Sequence, residues 1–233
     1  AFAIRINSSN YVQPSTNGSA LFTSATAIPT NQWVHIAYCR SSTSSNQTAL
    51  FINGVRDTLT TDSTNYVQYS NTIAACSYMT GDFPFTGYLS NMRIVKGTDV
   101  YGYSNTKITV PTSPLTAITN TTLLTCQSNR FIDTSSTAAT LTVVSAPQVS
   151  RFSPFAPTYS GQYSTSTIGG SGYFDGTGDY LSVANNSALH IWSSDFTLET
   201  YVYLNSTSNQ EILVKAANAS TYPEFELRVD SSK

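Results

Sequence analysis

Few side chains in this sequence have the type and spacing that acid–base or nucleophilic chemistry needs. Glu224 and Glu226 form the closest carboxylate pair. An i, i+2 spacing on a strand sets both on one face, as a two-carboxylate glycosidic site requires. The rest of such a pattern is missing around them, and they stand beside the chain end, so a solvated strand edge is the expectation. His35 and His190 are the two candidate bases, and neither lies near a G-x-S-x-G elbow. His190 sits two residues from Trp192, where packing or a loop contact is expected. Cys39, Cys76 and Cys126 are widely spaced, which gives no CxxC or Cys/His metal pattern. An odd count forbids a closed disulfide framework, one disulfide stays open, and small buried hydrophobes on strands are the simplest reading. Catalysis is not expected.

The elements that must position these residues read as strands almost throughout. Period-two alternation marks residues 33–38, 49–52, 89–95, 180–183 and 196–202, all rich in β-branched and aromatic types. Asn53-Gly54 follows one strand directly and predicts a two-residue hairpin into Val55. No segment keeps a helical period for three turns. Only 10% of the residues are charged, against about 25% in an average domain, while Ser, Thr and Asn supply more than a third. With 12% aromatic residues and a net charge of -2, the chain does not have the composition of a disordered one. Eleven basic residues against thirteen acidic ones give no footprint for nucleic acid or an anionic membrane. No apolar run approaches the roughly 18 residues of a membrane span, and the first residues are not expected to act as a signal peptide. Many short strands between turn signals predict an all-β sandwich or jelly roll.

Two features concern organisation. Prolines 147, 154 and 157, followed by Ser/Tyr/Gly-rich sequence through Gly169-Gly170, mark residues 156–172 as a linker. The second feature joins the ends: FAIRINSSN at 2–10 aligns without a gap on FELRVDSSK at 225–233. Phe, Arg and both serines are identical, and Ile/Leu, Ile/Val and Asn/Asp are close substitutions. The match is either chance among hydroxyl-rich strands or the sign of a tandem repeat whose period is close to the chain length.

The same strands carry a resemblance. Asn31-Gln-Trp33-Val34-His35-Ile36-Ala37 with Ala49-Leu50-Phe51-Ile52-Asn53-Gly54-Val55 resembles the W-x-H and N/D-G core of laminin-G-like domains, which are concanavalin A-like lectin/glucanase jelly rolls. Phe85-Thr-Gly87-Tyr88-Leu89 through Met92-Arg93-Ile94 resembles their late F-x-G strand. Phe174-Asp175-Gly176 through Leu181, and Asp195-Phe196-Thr197-Leu198-Glu199, resemble the strands that open such a domain. The resemblance implies an antiparallel jelly-roll β-sandwich in permuted order. Residues 1–155 correspond to the later two-thirds of one repeat. Residues 173–233 correspond to the first third of the next, or to the completing part of a circular permutant. The strand-completion segments, Phe2, Ile4 and Ile6 against Phe225, Leu227 and Val229, would then compete for one strand position. Neighbouring copies or repeats become the expected partners.

The resemblance also frames the ligands. Jelly rolls of this superfamily often hold calcium at a loop rim, and Asp175 and Asp179 in the D-G-T-G-D turn are the candidates, with simple turn geometry as the alternative. Glycan recognition would use aromatic faces in polar stretches, which points to Tyr66, Tyr69, Tyr101 and Tyr103, and to Tyr159 and Tyr163. Trp33 and His35 belong to the strand motif and are expected in the core. Seven N-x-S/T sequons barely exceed what so much Ser and Thr gives by composition. The texture of 124–131 and 153–157 resembles repeats of bacteriophage tail fibres and bacterial surface proteins. The expected function is a non-enzymatic structural and adhesive module of an extracellular or virion appendage. A purely structural filament component is the rival, and a glycan-processing enzyme a remote one.

Overall fold

The computed structural model describes residues 3–16, 19–42, 45–66, 72–75, 83–156, 162–216 and 225–227. Two antiparallel sheets pack face to face. In the first, β1 (Ala3–Ile6), β2 (Val12–Thr16), β16 (Phe225–Leu227), β15 (Gln210–Ala216), β7 (Thr72–Ala75), β13 (Tyr180–Val183) and β10 (Leu141–Val144) follow one another, with β3 (Ser19–Ala20) beside β2. The second runs β11 (Gln148–Ser150), β12 (Ser171–Asp175), β8 (Thr86–Lys96), β14 (Phe196–Leu204), β4 (Trp33–Ser41), β5 (Gln47–Ile52) and β6 (Val55–Thr61). Its β9 (Thr121–Thr125) lies against β8. A short 3-10 turn lies at Ser187–Leu189. The fold is an antiparallel jelly-roll β-sandwich, as the sequence indicated.

Chain order and sheet order interleave. β12 inserts beside β8, β13 between β7 and β10, and β14 between β8 and β4. The strands from 171 onward therefore share both sheets, and one core, with those before 155. The 156–172 stretch is less of a linker than its composition indicated. Ile168, Gly169 and Gly170 are buried, Ser171 and Gly172 already belong to β12, and the Ser153 hydroxyl donates to the Ile168 carbonyl. Small residues let backbones meet here: a Cβ on Gly170 would lie 2.3 Å from the Ser128 carbonyl oxygen.

Alternation decides which side chains fill the sandwich. On β4, Val34, Ile36 and Tyr38 face inward, and on β14 so do Phe196, Leu198, Val202 and Leu204. They meet Ile6, Val12, Leu181, Val183, Ile212 and Leu213 of the first sheet. Arg40 continues the inward row of β4 and is fully buried at one end of the core. It donates to the carbonyls of Thr64 (2.9 Å), Trp192 (2.5 Å) and Ser194 (3.0 Å) and lies 3.5 Å from Asp62. On β8, Asn91 takes a positive φ of 55° and pairs its amide with Ser90 Oγ and the Leu115 N–H. The extra residue restores alternation, so that Met92 and Ile94 face inward with Leu89. Asn53 (φ 47°) and Gly54 (φ 79°) form the expected hairpin turn between β5 and β6.

Candidate functional site

The outward side chains of the second sheet are unusual for a solvated face. Ala37 and Cys39 of β4 and Ala49 and Phe51 of β5 are buried a second time, beneath Tyr101, Tyr103 and Ile108. Residues 97–119 form a strap that crosses this outer face. Hydrogen bonds hold it there: Val100 N–H to Thr197 Oγ1 (2.9 Å), Ile108 N–H to the Gly54 carbonyl (2.8 Å) and Arg56 N–H to the Thr106 carbonyl (2.9 Å). Asp99 caps its first turn by accepting from Gly102 and Tyr103 N–H at 2.9 and 2.7 Å.

Under the strap lies a buried charged network. Glu199 of β14 accepts from Arg93 Nε of β8 at 2.7 Å and from the Tyr101 hydroxyl at 2.5 Å, with His35 Nε2 of β4 at 3.4 Å. Arg93 also donates to the Thr116 carbonyl at 3.0 Å, which ties a second point of the strap to the sheet. Burial alone would raise the Glu199 carboxyl. The His35 hydrogen bond, the Arg93 guanidinium and the Tyr101 hydroxyl outweigh it and hold the group below its ordinary value. Burial, followed by the Glu199 charge, pushes the Tyr101 phenol up. A general acid needs the opposite shift, so Glu199 anchors the strap and stays ionised.

Beside this network an aromatic ladder crosses four adjacent strands. Tyr173, Tyr88, Tyr203 and Trp33 stand directly opposite one another along β12, β8, β14 and β4. Their ring centroids are 4.9, 5.9 and 5.6 Å apart in that order. Phe152 lies across three of them, 4.9 Å from Tyr88 and from Tyr203 and 5.3 Å from Trp33. All five are half-buried.

At the Trp33 end of the ladder a cleft of about 310 Å³ opens between the strap and the segment after β11. Trp33, His35 and Tyr201 are among its lining residues, with Val110–Thr112 from the strap and Pro154 and Phe155 from the other side. Phe155 meets the Tyr201 ring edge-on at 5.3 Å, and the Tyr201 hydroxyl donates to the Pro111 carbonyl. Asn53 reaches the cleft from the hairpin, where its Oδ1 accepts the His35 N–H at 2.9 Å. Two buried ring nitrogens of lining residues, Trp33 Nε1 and His35 Nδ1, have no hydrogen-bond partner. A larger groove of about 620 Å³, with Gln127, Asn129, Arg130 and Thr165 in its wall, has no aromatic ring among its lining residues.

The structure moves several expected site residues. Tyr66 is buried, donates its hydroxyl to Asp62 and packs 4.9 Å from the Arg40 guanidinium, so it serves the core and not a rim. Tyr101 spends its hydroxyl on Glu199, and Tyr103 packs over the Ala37–Phe51 cluster. Tyr69 and Tyr159 lie outside the described residues, while Tyr163 is half-buried. Trp33 faces outward from the sandwich, contrary to its expected place in the core. His35 is buried as expected, but also on the outer face.

Asp175 and Asp179 close their turn by accepting backbone N–H groups, Thr177 to Asp175 (2.7 Å) and Ala146 to Asp179 (2.8 Å). No group of three or more His, Cys, Asp and Glu side chains converges among the described residues, so the calcium expectation finds no ligand set there. Cys39 and Cys126 are buried free thiols, and Cys76 lies outside the described residues. His190 meets Trp192 at 6.0 Å and Asn185 Oδ1 at 2.9 Å, a loop contact. Glu224 and Val229 also lie outside the described residues, as does Phe2. Ile4 and Ile6 lie in β1, and Phe225, Glu226 and Leu227 in β16.

Comparison with known proteins agrees with this architecture. Residues 1–98 match the Laminin_G_3 family model, described as concanavalin A-like lectin/glucanases superfamily. That stretch holds the W-x-H strand, the Asn53-Gly54 hairpin and the F-x-G strand, so the laminin-G-like resemblance read from the sequence is borne out there. No curated protein and no solved structure matches the chain.

Proposed function

We propose that this chain is a non-enzymatic structural and adhesive module of an extracellular or virion appendage, and that the cleft on its outer face holds a sugar ring of a surface glycan. The family match supports a carbohydrate-binding or structural β-sandwich module. The aromatic walls of the cleft, Trp33 on one side and Phe155 on the other, carry the finer reading. A sugar ring entering the cleft stacks its apolar face on Trp33 or Phe155 and keeps its hydroxyls toward the polar rim. The low charge of the chain suits a neutral or weakly charged ligand. No helix among the described residues is long and apolar enough to cross a membrane. Glu199 does not serve an enzymatic reading, because it is sealed under the strap and held ionised.

A printed array of neutral and acidic oligosaccharides tests the adhesive reading. Binding by the wild-type chain that falls at least ten-fold in Trp33→Phe and in Phe155→Ala, with far-UV circular dichroism unchanged, is the expected result. Binding indifferent to both substitutions overturns the cleft as the site. No binding to any oligosaccharide leaves the purely structural rival, which the strand pairing of the first sheet favours.

A further inference from the structure

β1 and β16 are addressed to the same place. Ile4 pairs with Leu213 of β15 and with Pro14 of β2, and Leu227 pairs with the same Leu213 and the same Pro14. Ala3 and Glu226 likewise share Val214 and Ser15. Both strands run antiparallel to both neighbours. At these two positions the register matches the alignment of 2–10 on 225–233. Adjacent strands lie about 4.8 Å apart, so the gap between β2 and β15 admits one strand.

Past β1 the chain turns into β2 through Asn7, whose Oδ1 accepts the N–H groups of Ser9 and Tyr11, each at 3.0 Å. Asp230 stands at the matching place in the second segment and offers the same acceptor. Both segments therefore carry a short strand with an Asn or Asp three residues past the shared Ile4/Leu227 position.

We propose that the slot between β2 and β15 is a strand-exchange site: Ala3–Ile6 and Phe225–Leu227 of one chain compete for it, and the displaced segment closes the same slot of a second copy. Chains joined this way run head to tail, each closing the first sheet of the next. The joint is a heterologous contact of the kind that extends into filaments, made by main-chain pairing with a defined register. The inference rests on the structural half of the function proposed above and is independent of the glycan cleft.

Proline at the shared register position removes a ladder hydrogen bond and breaks a central strand. In the 233-residue chain, Ile4→Pro and Leu227→Pro should each lower Tm by less than about 2 °C, because the other segment fills the slot. The double variant should fall by roughly 6–12 °C or more, the loss expected for a proline inside a paired strand of a domain this size. It should recover on adding a synthetic FAIRINSSN or FELRVDSSK peptide, and a peptide with proline at the third position should bind at least ten-fold more weakly. If the double variant does not fold at all while both singles do, that steep non-additivity itself supports the exchange. Additive losses in the two singles would mean separate positions and overturn the proposal, as would a folded double variant that binds neither peptide. Glycan-array binding of the two single variants, read alongside, should match wild type, so a failure of the cleft and a failure of the slot give different patterns.

Discussion

Replacing Glu199 with leucine removes the acceptor on which two strands and the strap converge. The Arg93 guanidinium would keep only the Thr116 carbonyl, and the Tyr101 hydroxyl would lose its partner. Breaking a buried ion pair from one side costs about 3–5 kcal/mol, and an orphaned hydroxyl adds about 1–3 kcal/mol. A total near 5 kcal/mol is a large part of the roughly 5–15 kcal/mol that holds a domain together. At about 2–4 °C per kcal/mol for a chain of this size, Tm should fall by roughly 10–20 °C. Urea unfolding should show a lower midpoint at unchanged m. The double variant Arg93→Leu/Glu199→Leu sharpens the test, because removing both charges avoids the uncompensated guanidinium. It should recover about 2–4 kcal/mol over Glu199→Leu. A Glu199→Leu protein within about 1 kcal/mol of wild type, or a double variant that is simply the sum of two losses, would refute the view that this network anchors the strap.

Two further outcomes follow from local geometry. Gly87 of the F-x-G motif has φ 144°, and a Cβ there would lie 2.1 Å from the Tyr203 carbonyl oxygen. Gly87→Ala should therefore cost about 3 kcal/mol or more by forcing β8 away from β14, which thermal unfolding reads directly. Burial, and then the charges of Lys215 and Lys96, push His190 down to about 4. The unfolded chain takes up that proton near 6.5, so stability should fall as pH drops from about 6.5 to about 4. Glu199, also lowered, adds its loss only as pH falls below the ordinary carboxylate value of 4.5. His190→Gln should flatten the upper window and leave the lower one, measured by urea midpoints across pH.

The sandwich is legible in the sequence because period two is a local property. Each strand of β4, β5, β8 and β14 announces itself through its own alternation, and Asn53-Gly54 through its own backbone preference. What alternation cannot tell is which face meets the core when both faces are covered. On β4 the strap buries His35, Ala37 and Cys39 as fully as the sandwich buries Val34, Ile36 and Tyr38, and the core placement expected of Trp33 falls on the wrong side for that reason. Tyr66 and Tyr101 sit in polar local sequence. Asp62 and Arg40 draw the first inward, and Glu199, 98 residues away along the chain, draws the second. The ladder has a sequence signal of its own: Tyr201-x-Tyr203 alternates with Val202 and Leu204, and Tyr88 and Tyr173 each follow a strand glycine. Pro154 and Phe155, which wall the cleft, are visible in the sequence only as repeat texture. The end-to-end match and the shared slot agree because register in an antiparallel sheet is set by the same side-chain pattern that makes two segments align.

The central claim is that the outer-face cleft binds a glycan through Trp33, and the chain's two tryptophans make that directly measurable. In a ¹⁵N-labelled protein the indole N–H signals of Trp33 and Trp192 are separable, with Trp192→Phe assigning them. Titration with an oligosaccharide retained on the array should move the Trp33 indole signal in a saturable way and leave Trp192, 42% exposed on a distant loop contact, in place. A Trp33 signal that stays fixed while the oligosaccharide saturates the protein would contradict the account.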